Sequence, residues 1–380
     1  MTLVLNEEQL MLKESAAGFL AEKASVAQLR ALRDAGDETA FDPAVWQEMA
    51  EMGWAGIAIP EAYGGLGYGY TGLGVVLEQA GRNLSPSPLE SSVLLGATAI
   101  EALGSEDQKN RWLPSIAGGE ALVSVALQET AQYDPMGINL SASQDLDGWV
   151  LSGSKRLVLD ALSAQAFVVL ARSSGAAGEA DGISAFLVPA DAEGVTVSPC
   201  DMVDSRQCGV VDFSQVRVGA DALMGEAGAA WPALERCLDI AAIGFSAQLL
   251  GLSLEAFERT MAYLRERKQF GKVIGSFQGL QHRAAELFAE LELARSIVLK
   301  ALRAIDAGDD GNLSLIASAT KAKLCEVART ASNEGVQMHG GIGMTDEYDI
   351  GLYMKRDRAL AEFLGDAYFH ANRVAEMSGY

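Results

Sequence analysis

The stretch Gln337-Met-His-Gly-Gly-Ile-Gly-Met-Thr-Asp-Glu-Tyr348 decides how the rest of this chain is interpreted. It continues through Lys355-Arg-Asp357 and ends on Gly365-Asp-Ala-Tyr-Phe-His370. Its glycines have no side chain to obstruct a ligand that approaches the backbone. A helix end followed by a loop would suit a Gly-Gly pair equally well. The glycines alone therefore leave a binding segment and an ordinary turn as open alternatives.

A second motif, Arg267-Lys-Gln-Phe-Gly271, is predicted at the end of a long helix, just before the turn Lys272-Val-Ile-Gly275. An arginine in this position can donate two hydrogen bonds to a pyrophosphate. The alternative is a helix C-cap, because cations favour the last turn of a helix and glycine commonly follows it. Residue type and spacing alone permit both interpretations.

Composition limits the class of protein. The chain has 380 residues, 49% of them apolar and 21% charged, which is typical of a globular protein with one large domain or two to three smaller ones. The formal charge of -22 argues against nucleic acid or an anionic membrane as the main partner, since both attract basic patches. A site for an anionic nucleotide must then be locally basic.

The start of the chain and its cysteines indicate a cytoplasmic protein. Met1-Thr-Leu-Val-Leu-Asn-Glu-Glu8 lacks the basic and apolar regions of a signal peptide, and no uninterrupted apolar run approaches the ~18 residues that span a bilayer. Four cysteines (Cys200, Cys208, Cys237 and Cys325) form no close C-x-x-C pair, and only three histidines accompany them. We therefore predict neither a metal site nor a disulfide framework.

The pattern along the chain predicts an α+β fold that is mainly α. Residues 1–120 form an N-terminal helical domain, in which Asn6 with Gln9 and Asp42 with Pro43 mark helix starts. Residues 121–222 form a small central β-domain, a sandwich or barrel, with short β-rich runs between Gly, Asp and Ser turns. Residues 223–380 form a C-terminal four-helix bundle, with helices over roughly Gln278 to Ala307 and Leu313 to Met338.

Taken together, the motifs resemble those of the acyl-CoA dehydrogenase family, flavoenzymes that oxidise acyl-CoA thioesters to enoyl-CoA. The resemblance runs from a Pro60 turn to Arg358 and includes Gln-x-x-Gly-Gly-x-Gly, Arg356-Asp357, and Arg-x-Gln-Phe-Gly followed by Phe277-Gln278. It implies FAD, and an oligomer in which one subunit reaches the FAD of its neighbour. The residues it assigns to that cofactor are Arg267, Gln269, Phe270, Ile274, Gln278, Gln337, Gly340 and Gly341.

The catalytic base that the family uses is missing from this sequence. Family members take a Glu from one of two positions, which are Gly365 and Ala241 here, and the Arg that usually follows the second position is Ala242. Asp366, with His370 one helical turn later, is a candidate for a shifted base. The competing interpretation is that this pair caps or crosslinks a helix.

The half of the flavin pocket that the family builds within one subunit is also altered. After Gly153-Ser-Lys155, an aromatic residue and a Thr or Ser are replaced by Leu157 and Leu159, and neither leucine can donate a hydrogen bond. The Thr and Gln that normally follow the catalytic Glu align with Ala367 and Phe369. The upstream Thr-Glu-Pro-x-x-Gly-Ser-Asp loop survives in part over Gln128-Glu-Thr-Ala-Gln-Tyr-Asp-Pro135.

The residues of the flavin site that act within one subunit are lost, whereas those that reach the FAD of the neighbouring subunit are retained. This pattern predicts an accessory subunit of a heteromeric acyl-CoA dehydrogenase. Such α2β2 assemblies carry one FAD per heterodimer and commonly act on bulky acyl-CoAs, including steroid side chains. One alternative is an autonomous homomeric FAD enzyme that uses Asp366 as its base. Another is a flavin-free homologue that binds an acyl-CoA or another protein.

Overall fold

The computed structural model describes residues 4–380. The first three residues of the predicted N-terminal domain, and of the start that lacks signal-peptide features, lie outside the described part. The chain forms two compact units, each built from separate segments. One contains residues up to 31, 70–86 and 242–380, and the other contains 32–69 and 87–241. The predicted boundaries at 120 and 222 stay predictions.

Helices occupy both ends of the chain, as predicted. They are α1 (Glu7–Lys23), α2 (Val26–Ala35), α3 (Pro43–Glu51), α4 (Tyr70–Asn83), α5 (Thr98–Leu103), α6 (Glu106–Ala117), α7 (Trp231–Glu266), α8 (Gln278–Asp306), α9 (Leu313–His339), α10 (Ile350–Glu362) and α11 (Ala367–Met377). A buried π-helical segment, Leu89–Ala97, precedes α5. The succession of helical, β and helical regions is confirmed.

The predicted starts of α1 and α3 are confirmed by their caps. The Asn6 side chain accepts a hydrogen bond from the Gln9 N–H at 2.8 Å, and the Gln9 side chain accepts one from the Asn6 N–H at 3.1 Å. Asp42 accepts from the Ala44 N–H at 2.8 Å, and Pro43 occupies the first helical position. Each cap satisfies N–H groups that have no partner within the helix.

The central region is one eight-stranded sheet in the second unit. Seven strands run in the order β6-β7-β3-β2-β4-β5-β8, and β1 pairs with β4 in parallel. The strands are β1 (Val123–Ala126), β2 (Ser141–Gln144), β3 (Gly148–Leu159), β4 (Ala166–Arg172), β5 (Ile183–Pro189), β6 (Val195–Cys200), β7 (Cys208–Gly219) and β8 (Leu223–Met224). Trp149 and Phe186 meet edge to face in its core, with ring centroids 5.2 Å apart.

Close backbone contact joins α4 to α7 in the first unit. A Cβ atom at Gly251 would lie 1.8 Å from the Glu78 carbonyl oxygen, and one at Gly81 would lie 2.1 Å from the Gln248 carbonyl oxygen. Larger residues would therefore force the two helices apart. Among residues 4–380, α7 is the one helix whose length and hydropathy would suffice to cross a membrane, and its most apolar window is entirely buried.

Candidate active site

The segment that follows α7 forms a projecting arm. A two-strand hairpin, β9 (Lys268–Gln269) and β10 (Lys272–Val273), begins directly after the helix. At its tip Phe270 has a positive φ of 52° and is 89% exposed. An exposed aromatic side chain in a strained backbone conformation costs free energy. The isolated chain gives no reason for Phe270 to adopt this conformation.

The arm is basic although the whole chain is acidic. Arg267, Lys268 and Lys272 follow one another with no carboxylate between them, and all three are exposed. Over residues 4–380, the Arg267 guanidinium has no hydrogen-bond or ion-pair partner. The Lys272 ammonium lies 4.2 Å from the centroid of the Phe277 ring. An anionic nucleotide requires local positive charge in so acidic a chain, and the arm supplies it.

Three other predicted cofactor residues belong to the same arm or to its base. The Gln269 side chain donates to the neighbouring Lys268 carbonyl oxygen at 2.8 Å. The Ile274 N–H donates to the Arg267 carbonyl oxygen at 2.9 Å and closes the hairpin. Gln278 is exposed and is the first residue of α8. The structure thus places Arg267, Gln269, Phe270, Ile274 and Gln278 together.

The end of α9 carries the second predicted binding segment. Gln337 is exposed in its last turn, and Gly340 has φ 63° and ψ -138°, a conformation open essentially to glycine only. Gly341 is different, because its φ is not positive and a Cβ atom there would meet nothing within 4 Å. The fold of this chain does not itself require glycine at 341, whereas a ligand lying against the backbone would.

An aromatic stack joins these two segments. The His339 ring stacks on Tyr263 at 4.4 Å between centroids, and Tyr348 lies 4.7 Å from the same imidazole. Tyr263 belongs to the last turns of α7, and its carbonyl oxygen accepts a hydrogen bond from the Arg267 N–H at 2.9 Å. The sequence analysis missed this stack, because no local spacing relates residues 263, 339 and 348.

Neither position that the family resemblance assigns to the catalytic base carries a carboxylate. Gly365 is buried with a φ of 98°, and a Cβ atom there would lie 2.5 Å from Cδ1 of Phe369. Ala241 is fully buried within α7, and Ala242 is 1% exposed. The space at 365 is filled by an aromatic ring of the same chain.

Asp366 and His370 occupy adjacent turns, but their side chains bind different groups. Asp366 caps α11, and its carboxylate accepts from the Phe369 N–H at 2.8 Å. His370 is 2% exposed, with Nε2 2.8 Å from the Leu364 carbonyl oxygen and Nδ1 3.3 Å from the Ser318 hydroxyl. Burial, reinforced by the nearby Lys321 charge, lowers the pKa of His370 to about 3. The capping interpretation of Asp366 accounts for its contacts.

In the β-sheet unit, the surviving parts of the family's loop and Gly-x-Lys motif meet. The Lys155 ammonium is fully buried and donates to the Glu129 carboxylate at 2.8 Å and to the Leu127 carbonyl oxygen at 2.9 Å. Burial lowers the pKa of Lys155 to about 8, against the opposing effect of Glu129. Leu157 adopts a φ of 52°, and Leu159 is 6% exposed. The contact between Lys155 and Glu129 is thus kept, whereas positions 157 and 159 carry apolar side chains that cannot donate hydrogen bonds.

Comparison with known proteins identifies the family of the chain. Three family models match the chain: acyl-CoA dehydrogenase, N-terminal domain (residues 6–120), middle domain (128–216) and C-terminal domain (228–378). A probable acyl-CoA dehydrogenase of Bacillus subtilis, YngJ, is 33% identical over 95% of both chains. The acyl-CoA dehydrogenase FadE12 of Mycobacterium tuberculosis is 33% identical over 83% of this chain and 82% of its own length. Among solved structures, a variant of the Tcur3481-Tcur3483 steroid ACAD is 31% identical, with a TM-score of 0.87 over 99% of this chain and 98% of that one.

The chain belongs to the acyl-CoA dehydrogenase family of FAD-dependent oxidoreductases. The open backbone at Gly341 and the unpaired Arg267 cation fit the nucleotide part of FAD, which needs close backbone approach and positive charge. Within the same compact unit, Gly365 has no side chain to offer to the reacting end of the cofactor. The residues present therefore fit one half of a flavin site better than the other.

Proposed function

We propose that this chain is the accessory subunit of a heteromeric acyl-CoA dehydrogenase and completes the FAD site of a partner chain that supplies the catalytic Glu. The observation that carries the proposal is the contrast within one compact unit. The Arg267 arm and the Gly341 backbone are open to a ligand, while the Phe369 ring fills the space at position 365.

The chemistry explains why a carboxylate is indispensable somewhere in the assembly. Dehydrogenation removes an α-proton from the acyl thioester and a hydride from the β-carbon, and the hydride acceptor is the flavin. In this chain Gly365 and Ala241 cannot take the proton. Its own residues would instead bind and orient, with Arg267 neutralising pyrophosphate charge and Gly340 and Gly341 admitting the nucleotide to the backbone.

The proposed substrate is an acyl-CoA with a bulky acyl group, such as a steroid side chain. Support comes from the 31% identity to one chain of a steroid ACAD whose name joins two components, Tcur3481 and Tcur3483. We expect the assembly to be an α2β2 heterotetramer with one FAD per heterodimer, and to work in the cytoplasm.

A second candidate function is an autonomous homomeric enzyme with Asp366 as a shifted base. Asp366 is half-buried and adjacent to the usual base position, which favours this candidate. Its carboxylate, however, already accepts the Phe369 N–H as a helix cap. A cap that must also accept a proton from substrate would have to give up that hydrogen bond.

The test is the flavin content of the purified chain, alone and co-expressed with a Glu-containing homologue from the same source. The proposal expects a colourless lone chain and about one FAD per heterodimer in the complex, by absorbance against protein concentration. A complex whose partner carries Gln in place of the Glu serves as control, and should keep its FAD but lose dehydrogenation. Stoichiometric FAD and activity in the lone chain would overturn the proposal and favour Asp366.

A further inference from the structure

His339 is a buried histidine to which the family resemblance assigns no role. It is 3% exposed, its Nδ1 lies 2.6 Å from the Gly335 carbonyl oxygen, and its ring packs against both Tyr263 and Tyr348, whose own ring centroids are 6.3 Å apart. A carbonyl oxygen can only accept, so Nδ1 carries the hydrogen of the neutral ring. Nε2 is then an acceptor, and it is buried without a hydrogen-bond partner.

Packing alone does not explain an imidazole in this place. A buried acceptor without a partner costs stability, and an apolar side chain of similar size would fill the volume without that cost. What the imidazole adds is a flat ring whose plane is fixed by two constraints. The hydrogen bond to Gly335 ties it to the preceding turn of α9, and the stack on Tyr263 ties it to α7.

The same ring stands between the two segments that face the ligand. On one side, the Tyr263 carbonyl oxygen accepts a hydrogen bond from the backbone N–H of Arg267, where the arm begins. On the other side, His339 is the last residue of α9 and directly precedes Gly340. The backbone then folds back on it, because a Cβ atom at Gly343 would lie 3.1 Å from the His339 Cβ. A change in the ring would therefore move the glycine turn and the arm relative to each other.

We propose that His339 is a positioning residue, which sets the Gly340-Gly341 turn at the correct distance from the Arg267 arm to clamp the nucleotide part of the partner's FAD. This inference rests on the proposed accessory function and goes beyond it. Burial lowers the pKa of His339, against the opposing hydrogen bond to Gly335, so the stacked ring is uncharged at neutral pH. The stack thus holds by ring contact and needs no ion pair.

The test compares His339→Ala with His339→Phe in the complex with the Glu-containing partner. The phenyl ring keeps the stack but removes the unpaired acceptor and the hydrogen bond to Gly335, whereas alanine removes the stack as well. Three quantities are measured: the dissociation constant for FAD, the fraction of chain assembled with its partner, and the melting temperature of the lone chain. We expect alanine to raise the FAD dissociation constant about tenfold or more while assembly is retained, and phenylalanine to stay within about threefold of the wild type.

The failures of the two proposals are distinguishable. A wild-type complex without flavin would overturn the accessory function and this inference with it. A wild-type complex that binds FAD, together with an alanine variant that binds it within twofold as tightly, would overturn the positioning role alone. If His339→Ala does not fold, His339→Phe decides, because a tenfold loss of FAD affinity with the stack retained would contradict a positioning role that acts through the stack.

Discussion

The ring of Phe369 lies in the space that a side chain at Gly365 would need. A Cβ atom at 365 would be 2.5 Å from Cδ1 of Phe369 and 3.1 Å from Nε2 of His370, and the backbone there has a φ of 98°. Two independent features, the backbone conformation and the packing, therefore oppose any larger residue. The turn between α10 and α11 therefore has no room for the Glu that the family resemblance implies at this position.

Restoring the family's Glu at this position should destabilise the chain and leave it without activity. For Gly365→Glu, backbone strain and overpacking each contribute about 1–3 kcal/mol, so we expect a loss of about 3 kcal/mol in unfolding free energy. Urea unfolding of the lone chain measures it. Adding Phe369→Ala to Gly365→Glu should recover at least about 1 kcal/mol, since it removes the clash but not the strain. If Gly365→Glu had the stability of the wild type, the turn would be shown to accept a larger side chain at position 365.

Substitutions of Asp366 can distinguish a helix-capping role from a role as catalytic base. Asn caps a helix about as well as Asp, whereas Ala does not, so Asp366→Asn should keep the stability and Asp366→Ala should lose about 1 kcal/mol. Neither change should alter the dehydrogenation rate of the complex, measured with an artificial electron acceptor. A loss of activity in Asp366→Asn, with stability intact, would instead identify Asp366 as the base.

Much of the fold follows from local sequence, because the helix caps and periodic apolar faces are local signals. Strand β2, which carries no such signal, shows the limit. Its residues Ser-Ala-Ser-Gln are mostly exposed and carry no β-rich pattern, and it exists because it pairs with β3 over Ser141–Gln144. Pairing with β3 therefore stabilises a strand that its own composition does not favour.

Parts of the candidate site can likewise be predicted from local sequence, and other parts cannot. The arm and the glycine turn are contiguous motifs, and the structure places each as a single segment. The relation of Phe369 to Gly365 could not be predicted from spacing, since it depends on a positive φ at 365 that brings the next turn back over it. The stack of Tyr263, His339 and Tyr348 joins residues that lie far apart in sequence. Only the three-dimensional structure reveals both relationships.

Lys321 is expected to hold the end of α10. Its fully buried ammonium donates to the carbonyl oxygens of Leu360 and Ala361, each at 3.0 Å. Lys321→Met would remove the ammonium donor from the Leu360 carbonyl and leave the Ala361 carbonyl with only the weak hydrogen bond from the Cys325 thiol at 3.7 Å, at a cost of about 1–3 kcal/mol. Lys323→Met is the matched control, because Lys323 pairs with Glu290 at the surface and should cost less than about 1 kcal/mol. Equal losses in both variants, measured by urea unfolding, would contradict this role.

His370 should make the stability of the chain depend on pH below about 7. Burial is the main cause that keeps its pKa near 3 in the folded chain, with Lys321 and Arg373 lowering it further and the Leu364 carbonyl and Asp366 opposing them. In the unfolded chain the pKa returns to about 6.5, so below that pH the unfolded state binds a proton that the folded state does not. The contribution is constant above pH 7.5 and is lost as the pH falls. The wild type should therefore lose about 2 kcal/mol more than His370→Gln between pH 7 and pH 5, by urea unfolding at each pH. Parallel pH profiles of the two proteins would show that His370 is protonated in the folded chain.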